Sequence, residues 1–144
     1  MFSIGYGEGS FENLRNNNEL YIDKTHYIPL MEQTKKFFFI RPRRFGKSLF
    51  LSMLKSYYNI NEKDKFDTLF DGLYIQKNPT KLRNTYLILY LNFSGIRGGS
   101  EQELKKDFDE SVKLYIDGFF KDYRRYFPEK DVLKKYRDIS KDLS

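Results

Sequence analysis

Apolar and polar positions along the chain predict helices separated by two short buried strands. Residues 36–40 and 86–91 are continuous apolar runs rich in aromatic and β-branched side chains, which is typical of strands covered on both faces. The segment after the first run predicts a helix, because its apolar residues recur at helical spacing: Leu49, Phe50, Met53, Leu54 and Tyr57.

Helices are also predicted on either side of this central part. Residues 11–33 fit a short helix, an Asn-rich turn, a short extended piece and a second short helix. Ser100 and Glu103 form a capping box, so a long amphipathic helix begins there and runs to about Tyr126. A last helical pattern follows over residues 132–143. Residues 59–83 are loosely patterned, with a short helical turn around residues 66–70.

The composition is that of an ordinary globular protein, with 40% hydrophobic and 32% charged residues among 144. This length predicts a single domain over residues 1–144. The absence of cysteine excludes disulfides, cysteine-ligated metals and cysteine nucleophiles, and the single histidine, His26, argues against histidine-rich metal sites and Ser-His-Asp hydrolases. The apolar runs are too short to cross a bilayer and no leader is evident, so we expect a cytoplasmic protein with no membrane partner.

The net charge of +6 is concentrated in one part of the chain. Between Lys24 and Lys55 there are eight basic residues and one acidic residue, Glu32, which gives this part a charge of +7. A compact basic segment is typical of an anion held at one place, whereas proteins that wrap nucleic acid more often spread their charge along a face.

The segment with the most chemical information joins the first predicted strand to the helix, so that residues 35–58 are expected to form a strand, a loop and a helix. It reads Arg41-Pro42-Arg43-Arg44-Phe45-Gly46-Lys47-Ser48. This is the phosphate-binding pattern G-x-x-x-x-G-K-[ST] except at the first glycine. Backbone N–H groups around Gly46 would face a phosphate, Lys47 would reach the β- and γ-phosphates, and Ser48 would bind Mg²⁺. A solvated basic turn is the simpler alternative.

Five segments, in this order and spacing, resemble a known family. They are Phe11-Glu12-Asn13-Leu14-Arg15, Tyr21-Ile22-Asp23-Lys24-Thr25, the loop from Arg41 to Leu49, Phe70-Asp71-Gly72-Leu73-Tyr74-Ile75, and Leu91-Asn92-Phe93-Ser94. Together they resemble the N-terminal part of the bacterial AAA-ATPase-like family, to about Leu114. The RPRRFGKS string is specific and the others are supporting, and in that family arginine is the usual residue at the position of Arg41.

The resemblance implies an α/β fold: a P-loop NTPase-like three-layer sandwich of the additional-strand class, preceded by a lead-in segment over residues 1–34. It also implies ATP and Mg²⁺ as cofactors, with Ser48 on the metal. The expected Walker A contacts to the nucleotide are Arg41, Arg43, Arg44, Phe45, Gly46, Lys47, Ser48 and Leu49. Relatives often carry a C-terminal restriction-endonuclease-like nuclease domain, so nucleic acid would be a partner of a domain outside this chain.

Two departures from the family pattern bear on catalysis. Asn92 stands where the family commonly has Asp, and no apolar strand ending in Asp-Glu, the Walker B pattern, is present. Asp117 follows two apolar residues, but inside an amphipathic helix. We therefore expect the chain to be a domain truncated on its C-terminal side, an ATP-binding module that is deficient in hydrolysis, marginally stable and prone to self-association.

Two other interpretations compete with ATP binding. In the first, the basic segment 35–47 binds the phosphate backbone of a nucleic acid; it ranks second because Phe37, Phe38 and Phe39 are expected inside a strand core rather than on an exposed stacking platform. In the second, the chain is a remnant interaction protein with a decayed site. The role of Asp23-Lys24-Thr25 does not follow from the residues, and a turn capped by Asp and Thr is its simplest interpretation.

Overall fold

The computed structural model describes residues 7–40 and 42–127, and the regular structure within these ranges is helical. The α-helices, α1 to α6 in chain order, are Phe11–Asn16, Ile28–Met31, Lys47–Tyr58, Phe66–Leu69, Tyr74–Lys77 and Glu101–Asp122. Short 3-10 helices lie at Thr25–Tyr27, Ile60–Lys65 and Arg124–Tyr126. The chain divides into two compact units, Met1–Leu87 and Ile88–Ser144.

The predicted α/β three-layer sandwich is wrong, because the described residues contain no β-strand and therefore no sheet. An isolated parallel bridge joins Asn59 and Tyr86, but neither predicted strand continues into a ladder. The side chains of Phe38 and Ile40 are 94% and 86% exposed. A continuous apolar run becomes a buried strand only when other strands pair along its edges, and the two runs of this chain do not pair with each other.

Helix α3 forms where the apolar spacing predicted it. Phe50, Met53, Leu54 and Tyr57 are all buried, as residues on one face of a helix should be. The ring of Phe39 stacks on Phe50 with centroids 4.7 Å apart. The extended segment before α3 therefore contacts the core through one residue, while its neighbours on either side are exposed.

The first unit has an aromatic core around α3. Phe11 of α1 lies 5.0 Å from Phe70 and Tyr57 lies 5.6 Å from the same ring, between centroids. The buried residues of this cluster are Phe11, Ile28, Phe50, Met53, Leu54, Tyr57, Phe66, Leu69, Phe70, Leu73 and Ile75. Five of them come from residues 66–75, so the loosely patterned segment supplies nearly half of the core and contains the predicted short helical turn as α4.

Residues 84–86 form hydrogen bonds with the C-terminal end of α3. The N–H of Asn84 donates to the Tyr57 carbonyl at 2.9 Å, and the N–H of Tyr86 donates to the Tyr58 carbonyl at 2.9 Å. The Asn84 side-chain amide donates to the carbonyls of Asn59 at 2.8 Å and of Ser56 at 3.4 Å. The last carbonyls of a helix accept no hydrogen bond from within the helix. The bonds from Asn84 and Tyr86 therefore satisfy carbonyl groups that would otherwise be unpaired.

The described part of the second unit, residues 88–127, contains a segment without helix or strand, then α6 and the 3-10 helix Arg124–Tyr126. The predicted capping box is confirmed: the Ser100 hydroxyl accepts from the Glu103 N–H at 3.3 Å, and the Glu103 carboxylate accepts from the Ser100 N–H at 3.0 Å. The helix ends at Asp122, slightly before the predicted Tyr126. Phe93 stacks on Phe108 with centroids 5.1 Å apart. The helical pattern predicted over residues 132–143 lies outside the described residues.

A search of the described helices finds none that is both long enough and apolar enough to cross a membrane.

Candidate functional site

The N-terminal end of α3 has the backbone geometry of an anion-binding turn. Gly46 precedes the first helical residue with φ +69° and ψ 25°, the left-handed conformation, and its carbonyl accepts from the Phe50 N–H at 2.9 Å. Glycine adopts this conformation without the steric cost that a Cβ brings. A left-handed residue followed by a right-handed helical one turns successive N–H groups toward the same side, which forms a concave anion-binding nest.

Lys47 is the first residue of α3, and its side chain turns back across the loop. Its Nζ donates to the Pro42 carbonyl at 3.3 Å. The ammonium group thus lies over the loop that precedes the helix.

The other predicted contacts differ in how accessible they are. Arg43 and Arg44 are exposed, Phe45 is 61% exposed, and Leu49 is partly buried against the core. Arg44 has φ +65°, an uncommon backbone conformation for a residue with a Cβ. Arg41 lies outside the described residues.

Ser48, the predicted magnesium ligand, is exposed in the first turn of α3. Among the described residues there is no group of three His, Asp or Glu side chains that could hold a metal ion. Mg²⁺ typically keeps several waters and is bound through one or two protein groups together with phosphate oxygens. The accessible Ser48 hydroxyl fits that mode of binding, in which the nucleotide supplies most of the charge.

The segment Asp23-Lys24-Thr25 is anchored to the start of α5. One carboxylate oxygen of Asp23 accepts from the Thr25 N–H at 2.8 Å and from the Thr25 hydroxyl at 2.7 Å, and the other accepts from the Tyr74 N–H at 2.8 Å. The fully buried Thr25 hydroxyl in turn accepts from the Ile75 N–H at 3.2 Å. Asp and Thr therefore act as capping residues, but for a helix 50 residues further along the chain.

These hydrogen bonds change the pKa of the Asp23 carboxyl group. Burial would raise the pKa of its carboxyl group, but the hydrogen bonds from Thr25 and Tyr74 outweigh that effect and lower the pKa below the usual value. The neighbouring Tyr21 has its pKa raised, first by burial and then by the negative charge of Asp23, so its phenol stays protonated at physiological pH.

Lys24, between these two anchors, lies close to the turn that opens α3. A Cβ built on Gly46 would lie 3.8 Å from the Nζ of Lys24. Both residues border a cavity of about 160 Å³, whose wall also includes Glu8, Leu49 and the apolar side chains of residues 14, 20 and 22. The sequence singled out the loop but gave no sign that this lysine from the lead-in segment reaches it.

Arg15 links two more of the segments that carried the family resemblance. Its Nε donates to the Leu69 carbonyl at 2.8 Å, and a terminal nitrogen donates to the Asp71 carbonyl. Four of the five resembling segments thus meet within the first unit. The fifth, residues 91–94, belongs to the second unit.

Comparison with known families gives a match over almost the whole chain. The model of the AAA-ATPase-like family, described as "Predicted AAA-ATPase", matches residues 5–144. The chain belongs to this family, which confirms the resemblance seen in its sequence.

The chain is also similar to a protein of Azotobacter chroococcum mcd 1 named "Uncharacterized protein in vnfD 5'region". The two are 36% identical over 103 residues, which is 69% of this chain and 19% of the relative. The chain thus spans about a fifth of that protein's length. No solved structure gives a significant match.

Proposed function

We propose that this member of the predicted AAA-ATPase family binds the phosphates of a nucleoside triphosphate, ATP, at the turn that opens α3. The observation that carries the proposal is the left-handed Gly46 at the start of a 12-residue helix, with the Lys47 ammonium folded over the same turn. Helix N-termini favour anions because their N–H groups lack intrahelical acceptors and the helix dipole is positive there. The family description favours ATP among the possible anions.

In this proposal each residue of the loop has a defined task. The N–H groups at the start of α3 bind phosphate oxygens, Lys47 moves from the Pro42 carbonyl to the β- and γ-phosphates, and Ser48 binds Mg²⁺ together with those phosphates and water. The exposed guanidinium groups of Arg43 and Arg44 add positive charge around the same turn.

The proposal extends to binding and not to hydrolysis. These 144 residues contain no apolar run that ends in Asp-Glu, the pattern that supplies the metal-anchoring and water-orienting carboxylates. We therefore expect Mg-ATP to bind without useful release of phosphate. Rapid Mg²⁺-dependent phosphate release that is lost in Lys47→Ala would contradict this part of the proposal.

Calorimetry with Mg-ATP and the Lys47→Ala variant tests the binding itself. Loss of a hydrogen bond to a charged group costs about 1.5–3 kcal/mol, so we expect the affinity to fall by about tenfold or more. Lys55→Ala, an exposed lysine of the same helix, is the matched control and should bind as the wild type does. Equal affinities in wild type and Lys47→Ala would refute the assignment.

A second candidate function is binding of single-stranded nucleic acid. The exposure of Phe37 and Phe38, at 47% and 94%, favours it, because these rings stand beside Lys35 and Lys36 and are available for stacking on bases. Its signature is an affinity that falls steeply with salt concentration. A gel shift with a short oligonucleotide, repeated with excess ATP, separates the two candidates: competition by ATP supports a shared phosphate site at Lys47, and indifference to ATP supports a separate surface.

A further inference from the structure

Lys24 is held close to the phosphate-binding turn by a rigid piece of backbone. Asp23 and Thr25, the residues on either side of it, are both hydrogen-bonded to the first turn of α5, and Thr25 is fully buried. A lysine whose flanking residues are fixed in this way explores a smaller volume than one on a free loop. The backbone of Lys24 is therefore held where its ammonium group can reach Gly46.

The charges around Lys24 favour an anion at this place. Its Nζ lies beside the residue that opens α3, where the helix dipole is positive, and the next residue of the helix is a second lysine, Lys47. A negative charge bound between these groups would be stabilised by both lysines and by the helix dipole. No carboxylate of the described residues forms an ion pair with Lys24, and Glu8, the carboxylate bordering the cavity, accepts from the Ser10 N–H at 2.6 Å.

We infer that Lys24 is a second phosphate-binding lysine, which the lead-in segment contributes to the site on α3. This inference rests on the proposed function and adds to it a residue outside the loop motif. Lys47 and Lys24 would approach the phosphate chain from two sides, one from the helix and one from the anchored segment. The anchor on α5 would keep the second lysine in place before the ligand arrives, which lowers the entropic cost of binding.

Calorimetric titration of Lys24→Gln with Mg-ATP and with AMP tests the inference. Affinity for Mg-ATP should fall by about tenfold, the effect of losing one hydrogen bond to a charged group. Affinity for AMP, which lacks the β- and γ-phosphates, should change much less. Lys24→Arg keeps the positive charge and should recover most of the ATP affinity, and Lys63→Gln, an exposed lysine of the same unit, should match the wild type.

The outcomes separate the inference from the proposed function. If wild type binds Mg-ATP and depends on Lys47, but Lys24→Gln binds as tightly as Lys63→Gln, the proposed function stands and the role of Lys24 is refuted. Equal losses for ATP and AMP would also refute it, since they would show a general disturbance of the site. If wild type does not bind Mg-ATP at all, the proposed function fails and the inference fails with it.

Discussion

The two ends of α3 are treated in opposite ways. At the C-terminal end, residues 84–86 return to donate hydrogen bonds to the carbonyls of Ser56, Tyr57 and Tyr58, so the chain itself satisfies the terminal groups. At the N-terminal end a left-handed glycine opens the helix amid exposed basic residues. We call the C-terminal end closed, because the protein itself pairs its carbonyls, and the N-terminal end open, because it begins among exposed residues. Stability and binding should therefore respond to different ends of the same helix.

The largest effect on folding should come from Asn84, at the closed end. Asn84→Ala removes its amide hydrogen bonds to Ser56 and Asn59 and forces alanine into a left-handed conformation, φ 52°. Together these should lower the free energy of unfolding by about 2–3 kcal/mol. Urea denaturation measures this change in the free energy of unfolding. Asn84→Gly keeps the backbone conformation and should cost less, and neither variant should change the ATP affinity of the folded protein. A large loss of ATP affinity in either variant would contradict the prediction that stability and binding depend on different ends of α3.

Gly46→Ala, at the open end, should lower the affinity for Mg-ATP more than it lowers the free energy of unfolding. A Cβ there would make only an ordinary van der Waals contact, 3.8 Å from the Lys24 Nζ, so the cost in unfolding free energy is that of the left-handed backbone, about 1 kcal/mol. Binding should suffer more, because relief of that strain reshapes the turn that holds the phosphate. Gly72→Ala is the matched control: Gly72 also has positive φ, with open space around it, so it should lose similar stability and no affinity for Mg-ATP. Parallel losses of affinity in both variants would contradict the prediction.

The smallest effect concerns pH and the anchor beside the open end. Because folding lowers the pKa of Asp23, its carboxylate stabilises the fold above its unfolded pKa of about 3.9, and this contribution is lost as pH falls through the lower folded value. The thermal stability of the wild type should therefore fall as pH decreases below about 4. Asp23→Asn should flatten that dependence, whereas Asp64→Asn, at an exposed position, should leave it unchanged. Identical profiles for the two variants would rule out a stabilising role for the Asp23 carboxylate.

Local signals in the sequence were sufficient for some of these features. The helical spacing from Phe50 to Tyr57 and the Ser100 capping box both depend on residues within a few positions of one another, and both predictions are confirmed.

Features that depend on distant partners could not be predicted in this way. The apolar run at residues 36–40 looks like a buried strand, but whether it becomes one depends on edge partners elsewhere in the chain. The cap that Asp23 and Thr25 provide joins residues about 50 positions apart, and no periodicity marks such a pair. The approach of Lys24 to Gly46 follows from that cap. It could not be predicted either, because it depends on the same contact between distant residues.

The anchor on α5 has a consequence for which substitutions the protein can tolerate. Asp23 and Thr25 accept hydrogen bonds from the backbone N–H groups of Tyr74 and Ile75, not from their side chains. Every residue except proline carries that N–H. Position 74, whose side chain is half exposed, is therefore open to nearly any amino acid as far as the anchor is concerned, while positions 23 and 25 must keep an acceptor in place. The interaction constrains the sequence on one side only, and proline at position 74 is the single change there that would remove the hydrogen bond to Asp23, while the bond from the Ile75 N–H to Thr25 would remain.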